Sequence, residues 1–328
     1  MKRMWTAPLA GAALAVAMVG AVEAASLKLL TSWNKNNWPT YAVLQQYLDN
    51  VKEIGGDTVK ISISGPEVVP PFEQLQPVAS GVFDMLFTHG VYHAGSKGIA
   101  LVVDTIDVDP LKRREAGIWD FVDKYYQKHN NLKMVTLPAA SFSGYHMFLK
   151  EPLSPEGDVK GRKIRGTLSY HGVIRALGGS PVVLPGSQIY SALEKGVVDG
   201  ACWPAAGMLS MKHFEVAKYR VRPTFGTSNV PVLVNLDSWN KLNDKEKGVL
   251  LAAGRETELE MPWVGRQILA DETGQLDKFG VKTLHLSAEK AALVKKAWST
   301  SLWKTTRDCC GDGADALYKL AKDAGMTD

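Results

Sequence analysis

The feature that most narrows the fold of this chain is a repeated alternation of short strand-like apolar runs with stretches of helical spacing, broken once and then resumed. Leu27-Lys28-Leu29-Leu30 reads as a strand, and Tyr41, Leu44, Leu48 and Val51 then recur at helical spacing up to Gly55-Gly56. Val59 to Ile63 alternates as a half-buried strand, Phe72 to Ser80 reads as a short helix stopped by Gly81, and Asp84 to Thr88 is a third strand. The pattern from Lys112 to His129 predicts one longer amphipathic helix, followed by a strand from Lys133 to Leu137. Strands separated by helices pack as a mainly parallel sheet covered on both faces.

The alternation restarts after the polar break Glu151-Pro152-Leu153-Ser154-Pro155-Glu156-Gly157, with strands at Lys163 to Arg165 and Pro181 to Leu184 and helices at Tyr170 to Leu177 and Gln188 to Val197. After the apolar run Val230 to Val234 it changes to long helices, Asp244 to Phe279 and Ser287 to Arg307, around a short strand at Val281 to Leu284. Pro262 should kink or break the first of these. The expectation is an α/β protein of two lobes: residues 25–150 with a return segment around 230–275, and residues 151–229 with C-terminal helices around 280–328. Long helices joining two lobes leave a cleft, and clefts at domain boundaries are where small molecules bind.

Residues 1–24 carry Lys2 and Arg3, an apolar run from Ala7 to Val22 and the small-residue end Val22-Glu23-Ala24, the three-part pattern of a secretory leader. The competing possibility is a membrane span, but 16 residues with Gly11 and Gly20 inside them fall short of the roughly 20 needed. Cleavage near Ala24 is expected, and no cysteine follows it to carry a lipid. The mature chain should therefore be periplasmic. The cysteines are Cys202, Cys309 and Cys310, too few for a disulfide framework, and a bridge between the adjacent pair needs a strained eight-membered ring. With 38 Lys+Arg against 34 Asp+Glu spread along the chain, there is no electrostatic footprint for nucleic acid.

Enzyme signatures are missing as well. There is no G-x-S-x-G elbow, no Walker A loop, no C-x-x-C and no H-E-x-x-H. S-x-x-K occurs at Ser32, Ser238 and Ser287 without its S-D-N and K-T-G companions, and Gly311-Asp312-Gly313 lacks the strand and third glycine of a dinucleotide site. Asp104, Asp107 and Asp109 do not have EF-hand spacing and read as a solvated acidic turn rather than metal ligands. No cofactor, metal or catalytic residue is expected.

Three stretches carry a resemblance. The central one runs Asp158-Val159-Lys160-Gly161-Arg162-Lys163-Ile164-Arg165-Gly166, Leu177-Gly178-Gly179-Ser180-Pro181-Val182 and Ile189-Tyr190-Ser191-Ala192-Leu193-Glu194-Lys195-Gly196-Val197-Val198-Asp199-Gly200. Gly65 to Met85 and Asn235 to Leu242 agree with it. Together they are similar to the extracytoplasmic solute receptor of a tripartite ATP-independent periplasmic (TRAP) transporter, of the DctP type. The resemblance implies a two-lobe periplasmic binding protein closing on a small organic acid, no chemistry, and delivery to the membrane subunits of a TRAP transporter. A receptor for an ATP-driven importer and an exported enzyme using the same cleft are the alternatives.

The resemblance also assigns roles. Arg165 matches the strand-borne arginine that grips a carboxylate, for which a guanidinium supplies two parallel donors and a permanent charge. A surface salt bridge is the plainer role for any arginine. Lys163 should point to the same face as Arg165, and Arg162 to the other. Trp203 matches a substrate-contacting position at a strand end, where it would present a flat wall and one N–H donor, or simply pack in the core. Cys202 stands where cation-using relatives carry an acid, so no metal is expected. The second upstream arginine of some relatives is missing from Ser141-Phe142-Ser143-Gly144-Tyr145-His146. The remaining candidate lining is Trp33, Asn34, His89, Tyr92, Phe142 and Tyr170, each of which is by itself as consistent with core or lip. Together they suggest a monocarboxylate with an apolar or aromatic body, such as a 2-oxo acid.

Overall fold

The computed structural model describes residues 24–141 and 143–327, so residues 1–23 of the expected leader at 1–24 and the candidate Phe142 lie outside the described residues. In chain order the strands are β1 (Ala25–Thr31), β2 (Val59–Ser64), β3 (Met85–Phe87), β4 (Leu132–Thr136), β5 (Ala139–Ser141), β6 (Tyr145–Leu149) and β7 (Lys163–Arg165). They continue as β8 (Ser180–Val182), β9 (Gly200–Pro204), β10 (Tyr219–Arg222), β11 (Ser228–Asn229), β12 (Val232–Asn235) and β13 (Lys282–His285). One sheet has the order β2-β1-β3-β12-β4, the other β13-β10-β6-β9-β7-β8, and β5 pairs with β11 alone. These are the two lobes. β6 belongs to the second sheet although it precedes the polar break at 151–157.

The sheets are mixed, which corrects the expectation of a mainly parallel arrangement. β1 runs parallel to β2 and β3, but β12 returns from the second lobe and inserts antiparallel between β3 and β4. In the second sheet β6 is antiparallel to both β9 and β10. A chain that crosses between lobes and comes back must enter each sheet from the far side, and periodicity within a strand carries no information about that direction.

The helix expected over 112–129 is two helices, Pro110–Glu115 and Ile118–Asn130, because Gly117 between them adopts φ 73°. Asp109 caps the first by accepting from Leu111 and Lys112 N–H. The helix Asp244–Lys278, by contrast, runs through Pro262 without a break. Proline removes one hydrogen bond, at a cost of about 3 kcal/mol. Contacts on either side hold the helix: buried Glu258 accepts from Arg114, Trp119, Thr136 and Leu137, and buried Glu272 from the N–H groups of Gly207 and Leu209. Since Glu258 meets the first lobe and Glu272 the second, this helix ties the two together. Ala288–Cys310 does the same, packing on both the helix His171–Ala176 and the turn Ile99–Thr105. It ends at Gly311, and a further helix, Asp312–Asp323, follows.

Two smaller expectations also change. Cys309 and Cys310 are disulfide-bonded to each other, closing no chain loop. Asp104 is not in a solvated turn but is 1% exposed, at the end of Ile99–Thr105.

Candidate functional site

Arg165 is the last residue of β7, held between β8 and β9, and is fully buried. Its Nε and Nη2 donate to Leu184 O at 2.9 and 2.6 Å, and its Nη1 donates to Cys202 O at 3.2 Å. Of the five guanidinium N–H donors, these three go to backbone carbonyls, which leaves one on each Nη, the spacing a carboxylate needs. No acid side chain pairs with it among the described residues. Burial pushes its pKa down, partly offset by the phenols of Tyr170 and Tyr92 and the thiol of Cys202. Lys163 and Arg162, on the same strand edge, are exposed and half-exposed and do not accompany it.

Arg165 faces a cavity of about 30 Å³ between the lobes. The first lobe contributes Trp33 from the turn after β1, and His89 and Tyr92 from the segment after β3; the second contributes Tyr145 from β6, Tyr170 from the turn after β7, and Trp203 from β9. All are buried. Trp33 is fixed edge-on to Phe87 at 5.3 Å and to Tyr92 at 5.7 Å, and Tyr145 edge-on to Tyr170 at 5.1 Å. Burial raises the pKa of both Tyr92 and Tyr170, so each hydroxyl remains a proton donor, with Arg165 pulling in the opposite direction. Thr167, Ser169 and Ser228 add hydroxyls to the lining, and no carboxylate lines it among the described residues.

Trp203 places its ring 5.4 Å from the Arg165 guanidinium carbon. Its indole N–H, expected as a ligand donor, is buried without a partner among the described residues and sits against Gly207, where an added Cβ would lie 2.8 Å from the nitrogen. At Gly186 an added Cβ would lie 2.5 Å from the six-membered ring, so two glycines make the slot for this side chain. Behind it stands His213, ring centroids 6.2 Å apart, with its pKa lowered to about 3 by burial and then by the charge of Arg165.

His89 and Asn34 differ from the candidate roles. Nδ1 of His89 accepts the Val91 N–H at 3.1 Å and Nε2 meets Asp104 Oδ2 at 2.8 Å, so both nitrogens are committed and only the ring edge borders the cavity. Asn34 is exposed and lies outside the cavity, beside a gap between the lips where Pro66 and Pro71 face Pro185 and Gly186. Asn34 follows Trp33 in the turn that leaves β1, and the turn carries its side chain out to solvent while Trp33 stays buried. Tyr145, Thr167, Ser169 and Ser228 are lining residues that sequence reasoning missed. Thr167 and Ser169 lie just past Arg165 and extension along that strand end could have found them; Tyr145 and Ser228 come from chain crossings that no local pattern marks.

The model of the family "bacterial extracellular solute-binding protein, family 7" (DctP) matches residues 33–307. A monocarboxylate 2-oxoacid-binding periplasmic protein of Nostoc sp. (strain PCC 7120) is 27% identical over 252 residues, 71% of this chain and 66% of that protein's own length. Among solved structures, a TRAP periplasmic solute binding protein from Desulfovibrio salexigens with bound orotic acid superposes with a TM-score of 0.76 at 21% identity, covering 91% of this chain and 98% of the other. A TRAP transporter solute binding protein from Bordetella bronchiseptica, with copurified calcium and picolinate in its site, gives 0.78 at 21% identity over 92% and 91%. With the family model matched over most of this chain, the chain belongs to family 7 of the bacterial extracellular solute-binding proteins, the DctP family.

Proposed function

We propose that this protein is a periplasmic receptor that binds a small organic monocarboxylate, with an apolar or aromatic body such as a 2-oxo acid carries, and delivers it unchanged to the membrane subunits of a TRAP transporter. The observation that carries the reading is the buried Arg165 guanidinium, oriented by three bonds to backbone carbonyls and lacking an acid partner among the described residues. A desolvated cation without a counter-charge is costly, and a ligand carboxylate supplies the missing charge and accepts the two remaining N–H groups. Aromatic walls from both lobes take an apolar body, and a lining without a second arginine or lysine among the described residues offers no second cation for a second carboxylate. Trp33, Tyr92, Tyr170 and Trp203 are the side chains in this role, with Phe142 retained as a candidate.

A cavity of about 30 Å³ holds little more than a water molecule, so a ligand is admitted only when the lobes part. We assign the lobes to 25–150 with 230–275 and 151–229 with 280–328, except that β6 sits in the second sheet, and the start of the exported chain to Ala25. Isothermal calorimetry with 4-methyl-2-oxopentanoate and phenylpyruvate against succinate and 2-oxoglutarate tests the specificity. Monocarboxylates should bind at one equivalent and be recovered intact, and tighter binding of the dicarboxylates would refute the single-cation site.

A further inference from the structure

Asp104 does not line the ligand cavity, yet its side chain is closed to solvent and accepts four hydrogen bonds. Oδ1 accepts from Asn229 N and Nδ2, both at 2.9 Å, and Oδ2 from His89 Nε2 at 2.8 Å and the Tyr145 hydroxyl at 2.9 Å. Because His89 Nδ1 accepts a backbone N–H, its ring proton sits on Nε2 and points at Asp104. The balancing charge is one residue away: buried Arg113 donates to Asn229 Oδ1 at 2.6 Å, while its other donors hold the carbonyls of Val103, Ile106 and Asp107.

The four donors come from different parts of the fold. His89 belongs to the first lobe, Tyr145 opens the second, and Asn229 lies on β11, one of the two strands by which the chain passes between sheets. The Asp104 carbonyl adds Thr227 and the indole of Trp298. Main-chain pairing at this crossing is a short ribbon: β5 and β11 share the pairs Ser141–Ser228 and Ala139–Asn229 with an irregularity between them, Val230 N donates to Pro138 O, and Tyr145 and Phe225 exchange both N–H···O bonds. Beside this ribbon, the side chains gathered on one carboxylate fix how His89, Tyr145 and Asn229 sit relative to one another. Tyr145 carries that geometry to the ligand, since its ring borders the cavity and packs on Tyr170.

We infer that Asp104 is the positioning residue of the hinge: by fixing Tyr145 and His89 it holds the lobes at their closed angle and strengthens ligand binding without touching the ligand. The affinity arm of the test rests on the monocarboxylate reading; the closure arm does not. Tyr145→Phe keeps the ring and removes the hydroxyl, and Asp104→Asn keeps the shape and removes the charge. Small-angle scattering of the ligand-free proteins should show a larger radius of gyration for both variants than for the parent. Affinity should fall by the same factor, roughly 10- to 100-fold for a charge-assisted bond, for 4-methyl-2-oxopentanoate and phenylpyruvate alike, with faster dissociation. The double variant should be no weaker than the weaker single one, because both remove one interaction. If Asp104→Asn fails to fold, Tyr145→Phe carries both measurements. An unchanged radius of gyration overturns the inference, whether affinity falls through a lost contact or only the melting temperature falls. If neither acid binds the parent, the ligand reading fails and scattering still decides the hinge.

Discussion

Arg165 shows how much one side chain's surroundings decide. The same residue on a solvated strand end would be worth little, whereas here its charge is sealed beneath Tyr92, Tyr170 and Trp203. Removing one partner of a desolvated, hydrogen-bonded charge pair costs about 2–5 kcal/mol, or roughly 30- to 5,000-fold in affinity. Arg165→Ala should therefore abolish useful binding of the acid while the ligand-free melting temperature changes little. Arg165→Lys should recover only part of the loss, because an ammonium cannot reproduce the three carbonyl bonds and the forked pair together. Calorimetry and thermal unfolding on the same purified variants separate this from a structural role, in which melting would drop and affinity hold. The arginine was legible because it lies in a contiguous block, Asp158 to Gly166, that is similar to one family. His89 was legible as a lining residue but not in its bonding, since Asp104, which accepts its hydrogen bond, is fifteen residues away in sequence and has no pattern of its own.

At the scale of elements, the helix Asp244–Lys278 offers a matched comparison. Gly248 has open space where a Cβ would go, whereas at Gly254 a Cβ would lie 2.3 Å from the Val135 carbonyl oxygen on β4. Gly248→Ala should stabilise the protein by roughly 0.5–1 kcal/mol through helix propensity. Gly254→Ala should destabilise it, by about 1–3 kcal/mol for an overpacked contact, since backbone cannot rotate away. Denaturant titration of the pair checks both signs. A second prediction concerns buried rings: burial lowers the pKa of His93 and of His213 to about 3, and His146 lies well below its ordinary value for the same reason. An unfolded histidine titrates near 6.5, so between about pH 6.5 and about pH 3 the unfolded chain binds protons that the native one refuses. Stability is thus fully present above about 6.5 and is lost as pH falls, at about 1.4 kcal/mol per pH unit for each such proton. Glu272, whose carboxyl burial pushes upward, works against this slope. Urea denaturation at a series of pH values measures it, and a flat profile from neutral to pH 5 would mean these rings are not held neutral inside.

For the whole molecule, the absence of a carboxylate from the described cavity lining bears on cations. A calcium ion takes six to eight oxygen ligands with carboxylates prominent among them, so ligand affinity should be unchanged after exhaustive treatment with EDTA; a loss restored by calcium would show a cation shared with the ligand. The sequence by itself determined the α/β class, the two lobes, the long joining helices and the strand that carries Arg165. These follow from local periodicity, from the polar break and from a contiguous motif, all properties of neighbouring residues. Tertiary structure alone decided that β12 and β6 run against their neighbours, that Pro262 sits in an unbroken helix, that Tyr145 and Ser228 join the cavity and that Asp104 is buried among donors from both lobes. The physical reason is common to all of them: each depends on contacts between residues far apart in the chain, where strand direction, desolvation and charge balance are set by what arrives from elsewhere.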